Sequence, residues 1–311
     1  MSQKKTILSQ KMKKSVSKPK KKKTLKAESI LPFYSHVVSR KGQDRINCFR
    51  VHGYDVFLVV DGHGPDNTVP DYVIKQIPEL LSSLVCITET SVRRVFKILE
   101  KEVDSFQTTS GCVLGALFKS ENSTFFVQIG DTELLGIKND KVVVKARLHN
   151  CITEKKRVEK YTLYDRLFGL LEPTRGFGNS DCRKDVVKKC NREWDNKDKI
   201  FNGKPEIKKI NKDVDWFVIA SDGLLDTKCS PTDRNFNEEL KKAKKKVKDN
   251  LSESEKNDSE YFMTKVFKEI VSSAEKNSND DISIIVVDKK TCFKNNMCVD
   301  KKLIDLREKS C

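Results

Sequence analysis

Two apolar runs in this chain end on an Asp-Gly pair: Val56-Phe57-Leu58-Val59-Val60-Asp61-Gly62-His63-Gly64, and Trp216-Phe217-Val218-Ile219-Ala220-Ser221-Asp222-Gly223-Leu224-Leu225-Asp226. Each reads as a buried strand that delivers a carboxylate to its exposed end. A carboxylate at the rim of an apolar core is costly unless a cation compensates it, and a following glycine lets backbone approach closely. Taken singly, either pair also reads as the turn after a strand. Together they suggest a metal site. Asp44, in Lys41-Gly42-Gln43-Asp44-Arg45, and Asp280-Asp281, just before Ile282-Ser283-Ile284-Ile285-Val286-Val287, bring the acidic points to four distant segments.

Positioning such residues requires a sheet-rich scaffold. Short apolar segments recur at Tyr34 to Ser39, Ile46 to Val51, Val56 to Val60, Cys112 to Phe118, Thr124 to Ile129, Leu134 to Ile137 and Val142 to Val144, with turns between them. Their length and closeness predict antiparallel hairpins. Helices are expected from about Asp71 to Leu84, despite Pro78, and from Ser91 to Phe106, where Val92, Val95, Phe96, Leu99 and Val103 form one stripe. Two more are expected between Asn235 and Asn277, and residues 183–214 read as a long polar surface excursion. Strands, helices and strands in that order argue for one α+β domain.

The 311 residues can bury a sizeable core, and 37% hydrophobic with 34% charged residues suits a folded enzyme with lysine-rich loops. Of the formal net charge of +16, residues 1–27 hold 11 lysines and no acid, so the other 284 residues carry +5. This leader lacks the apolar content to fold; its lysine run suits a nuclear import factor, a polyanion, or no specific role. The ten cysteines form no Cys-x-x-Cys pair and no zinc-ligand spacing with histidine, as expected of free thiols in a reducing compartment. No apolar run approaches the roughly 20 residues of a membrane span, and no secretory signal is evident. The expectation is an intracellular protein, nuclear or cytoplasmic, and a monomer.

Eight pieces in order resemble the metal-dependent protein serine/threonine phosphatases of type 2C: Gly42-Gln43-Asp44-Arg45, Asp61-Gly62-His63-Gly64, Thr109-Ser110-Gly111-Cys112, Gly130-Asp131-Thr132, Thr174-Arg175-Gly176-Phe177-Gly178-Asn179, Pro205-Glu206-Ile207, Ala220-Ser221-Asp222-Gly223-Leu224-Leu225-Asp226 and Ser278-Asn279-Asp280-Asp281-Ile282-Ser283. The resemblance implies a four-layer α-β-β-α sandwich with two central antiparallel sheets, occupying residues 28–290 between the leader and a C-terminal extension at 291–311. It also implies two Mg or Mn ions. Asp61 would bridge them, the Gly62 carbonyl would complete one, Asp222 and Asp280 would hold the other, and Asp44 would touch their water shell. Asp131 and Asp226 match a third, weaker metal position, and His63 matches the general acid. These donors are all oxygen, which suits hard cations rather than zinc.

The chain also departs from the family pattern. Ser39 stands where many members hold phosphate with an arginine, leaving Arg40 and Lys41 beside it as candidates. Gln43 replaces a frequent glutamate, Cys112 a serine or threonine, and Asn179 an aspartate; Pro65 to Pro70 replaces a small helix-starting segment. The expected activity is hydrolysis of phosphoserine and phosphothreonine in proteins. The alternatives are a catalytically weak regulatory binding protein and a polyanion binder that uses the leader.

Overall fold

The computed structural model describes residues 28–29, 33–180, 182, 200–225 and 235–289. The leader, Asp226 and the C-terminal extension lie outside the described residues. In chain order the strands are β1 (Glu28–Ser29), β2 (Tyr34–Val38), β3 (Arg45–Val51), β4 (Tyr54–His63), β5 (Gly111–Lys119), β6 (Thr124–Ile129), β7 (Glu133–Lys138) and β8 (Lys141–Lys145). There follow β9 (Thr162–Leu163), β10 (Arg166–Leu167), β11 (Phe177–Gly178), β12 (Glu206–Lys209), β13 (Trp216–Ala220) and β14 (Ile282–Asp288). One antiparallel sheet runs β1-β3-β4-β5-β6-β12, with β11 on β5; a second runs β2-β14-β13-β7-β8.

Side-chain alternation along the strands separates three apolar layers. On β4, Val56, Leu58 and Val60 face Val69, Val73 and Ile77 of α1 (Thr68–Ser82) and Val95, Phe96 and Leu99 of α2 (Glu89–Asp104). The opposite face carries Phe57 and Val59 into the space between the sheets, where they meet Phe217, Ile219, Ile285 and Val287. The outer face of the second sheet, including Val218, Ile284 and Val286, is covered by Leu240 and Val247 of the helix Phe236–Asn250 and by Phe267 and Ile270 of the helix Ser259–Asn277. The result is the four-layer α-β-β-α sandwich. Truncating a side chain as buried as Leu58 to alanine would cost about 2–5 kcal/mol.

Local chemistry moves several boundaries. α1 begins three residues earlier than the apolar spacing predicts, because Pro70 falls in its first turn, where no backbone donor is needed. Pro78 forfeits one helical hydrogen bond, but Val73, Ile77 and Leu81 still bury a full stripe. α2 starts at Glu89 because Thr88 caps it: Ser91 N donates to Thr88 Oγ1 at 3.0 Å and Thr88 N to Ser91 Oγ at 2.8 Å. Within the expected 183–214 excursion, the described part contains β12, paired antiparallel with β6. Its Glu-Ile-Lys-Lys sequence gives only Ile207 to the core, so alternation could not reveal this edge strand.

Candidate active site

β4 does not stop at Val60. It remains paired with β5 through Asp61↔Val113, Gly62↔Cys112 and His63↔Gly111. Continuing the face of Phe57 and Val59, Asp61 emerges at one end of the space between the sheets. There, a cleft of about 510 Å³ gathers Asp61, Gly62, His63, Asp131, Asp222, Asp280 and Lys41.

Glycine after each motif aspartate serves close packing. A Cβ on Gly62 would lie 2.5 Å from the Gln43 carbonyl oxygen, and one on Gly223 would lie 2.1 Å from the Asp281 carbonyl oxygen. The loop carrying Asp44 and the turn carrying Asp280 are thereby pressed onto the two strand ends. Asp281, which the sequence reading did not separate from its neighbour, ties these segments together. Its carboxylate accepts backbone N–H groups from Arg40 (2.5 Å), Lys41 (2.6 Å), Gln43 (2.6 Å) and Asp44 (3.3 Å). Burial works against its charge, but these donors hold its pKa below the usual value.

For Asp61, Asp131 and Asp44, burial prevails instead. Burial, reinforced by Asp222, Asp44, Asp131 and Asp280, drives the pKa of Asp61 well above the usual range. Burial, followed by the fields of Asp222 and Glu172, does the same to Asp131. Asp44 is pushed up to about 6 by burial, with Asp281 and Asp280 adding to the shift and the Ser221 and Ser283 hydroxyls opposing it. Its buried Oδ2 has no hydrogen-bond partner. Oxygen donors crowded against one another, one of them orphaned, fit a hard divalent cation. Among the described residues no three His, Cys, Asp or Glu side chains close in tightly enough to hold an ion as they stand.

One cation already touches this set. Lys41 Nζ lies 2.7 Å from Asp280 Oδ2. Burial opposes the charge on Lys41, but that hydrogen bond and the fields of Asp280, Asp222 and Asp61 outweigh it and raise its pKa. Its ammonium is thus committed to a carboxylate. Arg40 points elsewhere: its guanidinium donates to the Glu275 carbonyl, and the residue does not line the cleft.

His63 Nε2 contacts Asn179 Oδ1 at 2.8 Å. The Asp131 loop is braced from behind, where Gly130 N donates to His149 Nδ1 at 3.1 Å. Burial, then the nearby Arg175 charge, lowers the pKa of His149 to about 4, so the ring is a neutral acceptor there. Arg175 itself binds buried Glu154, which Arg157 and Thr174 also approach. Arg166, Leu170, Leu171, Glu172 and Pro173 also line the cleft, and no motif in the sequence marks them as site residues. Leu163, Leu167, Leu170 and Leu171 there recur at helical steps, yet the chain forms the short strands β9 and β10, so the local pattern does not point to the cleft.

The profile of the protein phosphatase 2C family matches residues 54–232, more than half of the chain. The chain belongs to the protein phosphatase 2C family. Solved structures of similar fold include a C. elegans sex determining protein, at 15% identity and a TM-score of 0.53, aligned over 84% of this chain and 63% of the nematode one. The chain thus spans less than two thirds of that protein. A bacterial serine phosphatase aligns at 12% identity and a TM-score of 0.53, over 85% of this chain and 99% of its own. No curated protein matches the sequence. Within this phosphatase 2C fold, the aspartates expected from the sequence line one cleft, apart from Asp44, packed behind it, and Asp226, outside the described residues.

Proposed function

We propose that this chain hydrolyses phosphoserine and phosphothreonine in proteins with the help of two divalent ions of the Mg or Mn type. The observation that carries the reading is the convergence of Asp61, Asp131, Asp222 and Asp280 on one cleft whose rim holds His63. When bound, such ions supply a water acidic enough to attack phosphorus at neutral pH and offset the phosphate charge. Asp61, Asp222 and Asp280 would hold them, with the Gly62 carbonyl beside Asp61 and Asp44 behind through water. Asp131 is available to a third ion. His63, held at Nε2 by Asn179, is assigned the proton that the departing serine or threonine alkoxide needs, given from Nδ1 of the imidazolium.

The test is phosphate release from phosphoserine, phosphothreonine and phosphotyrosine peptides with Mn²⁺, Mg²⁺, Ca²⁺ or chelator. Release from the first two that chelator abolishes is expected; no release under any metal would overturn the reading. In that event a regulatory binding role is the second reading, favoured by Ser39 at the usual phosphate arginine and by the commitment of Lys41 to Asp280.

A further inference from the structure

We infer that Lys41 is a built-in counter-cation of the carboxylate cleft, which a divalent ion must displace from Asp280 in order to bind there. The inference rests on the metal-centre reading above and concerns how that centre is regulated. Both oxygens of Asp280 are engaged: Oδ2 accepts from Lys41 Nζ at 2.7 Å and Oδ1 from the Asp281 N–H at 2.8 Å. An ion that takes Oδ2 therefore meets an ammonium already seated on it. Two cations cannot share one carboxylate oxygen at contact distance without strong repulsion.

The lysine is delivered there by its backbone. Its own N–H donates to Asp281 Oδ1, and those of Arg40, Gln43 and Asp44 bind the same carboxylate, which fixes the loop before the side chain is considered. Gly42, at a φ of +74°, makes the turn that returns the chain toward Asp44. Only the four-carbon stem is left to move, and it can swing the ammonium toward water. Arg166, the other cation lining the cleft among the described residues, is held by Glu172 at 3.0 Å and does not contact Asp280. The carboxylates thus have an internal cation at one end, and metal occupancy becomes a competition.

Mn²⁺ binding to the chelator-stripped full chain, without substrate, tests this by calorimetry and by loss of the free-Mn²⁺ spin-resonance signal. Lys41→Met should bind Mn²⁺ more tightly than wild type, by up to about fivefold, given the usual strength of half-exposed ion pairs. Arg166→Met, which removes the same charge from a lining residue paired with Glu172 instead of Asp280, should change affinity less. Stripped Lys41→Met should also melt below stripped wild type, and saturating Mn²⁺ should close that gap. Lys41→Gln is the second variant should the first fold poorly. Equal or weaker Mn²⁺ binding by the Lys41 variants, or equal tightening by Arg166→Met, would overturn the inference while leaving the metal centre intact. Absence of Mn²⁺ binding in wild type and both Lys41 variants would overturn both; binding by the Lys41 variants alone would support it.

Discussion

His63 Nε2 and Asn179 Oδ1 stand 2.8 Å apart, and the amide is oriented by its Nδ2, which donates to the Thr109 carbonyl at 3.1 Å. With Nδ2 the donor, Oδ1 must be the acceptor, so one ring hydrogen is held on Nε2, and a proton given to a leaving group would be the second one, on Nδ1 of the imidazolium. Gly111 makes the pairing possible: a Cβ there would lie 2.0 Å from Asn179 Oδ1 and 2.6 Å from His63 Nε2. Asn179 takes the left-handed φ of +50° that asparagine tolerates better than most residues.

If His63 protonates the leaving group, His63→Ala should slow phosphoserine-peptide hydrolysis by about 10²–10⁴-fold. An aryl phosphate, whose phenolate leaves without much protonation, should lose far less. Asn179→Ala should show a milder version of the same contrast, mainly in kcat. Steady-state kinetics on both substrates decide it, and equal losses would argue against a general-acid role.

Asp61→Asn and Asp222→Asn each remove an anionic donor from a site whose affinity follows carboxylate count. Both should lose most turnover at limiting Mn²⁺ and bind the ion more weakly. Undiminished turnover by either variant would sink the assignment of that residue.

Gly223→Ala should destabilise the fold, because its Cβ would have to share space with the Asp281 carbonyl 2.1 Å away. Overpacking of this kind costs about 1–3 kcal/mol. A melting temperature lowered by several degrees is expected by calorimetry, and an unchanged one would show that the Asp280 turn can move.

The acid limb of stability should depend on Glu154. Burial alone would raise its pKa, yet Arg175, Arg157 and Thr174 bring it from 4.5 down to about 2. A lowered carboxylate pKa contributes stability that is present above pH 4.5 and lost as pH falls toward 2. Glu154→Gln should begin less stable and show a shallower fall in melting temperature across that window. Parallel curves for variant and wild type would remove Glu154 as the source.

Residues 1–27 should be dispensable for turnover of a small phosphate ester. Their lysines act through a field screened over about 8–10 Å at physiological salt. Deletion should alter polyanion affinity or cellular location and leave the melting temperature unchanged. A large fall in that temperature would show that the leader docks on the domain.

The strand ends that carry Asp61 and Asp222 and the sheet-rich scaffold follow from the sequence alone. Apolar runs and two-residue alternation are local properties, so they place a carboxylate at the end of a buried strand without knowledge of the fold. Which neighbour does what is another matter. Arg40 and Lys41 are adjacent cations, and Asp280 and Asp281 adjacent acids, indistinguishable by type. Only the folded loop sends Lys41 to Asp280 and Arg40 to the Glu275 carbonyl, and only the packing of that loop gives Asp281 four backbone donors. Arg166 reaches the cleft from a segment whose leucines are spaced as in a helix but which folds as two short strands. Such distinctions depend on where distant backbone passes, and hydrogen bonds across more than two hundred residues of sequence leave no trace in local composition.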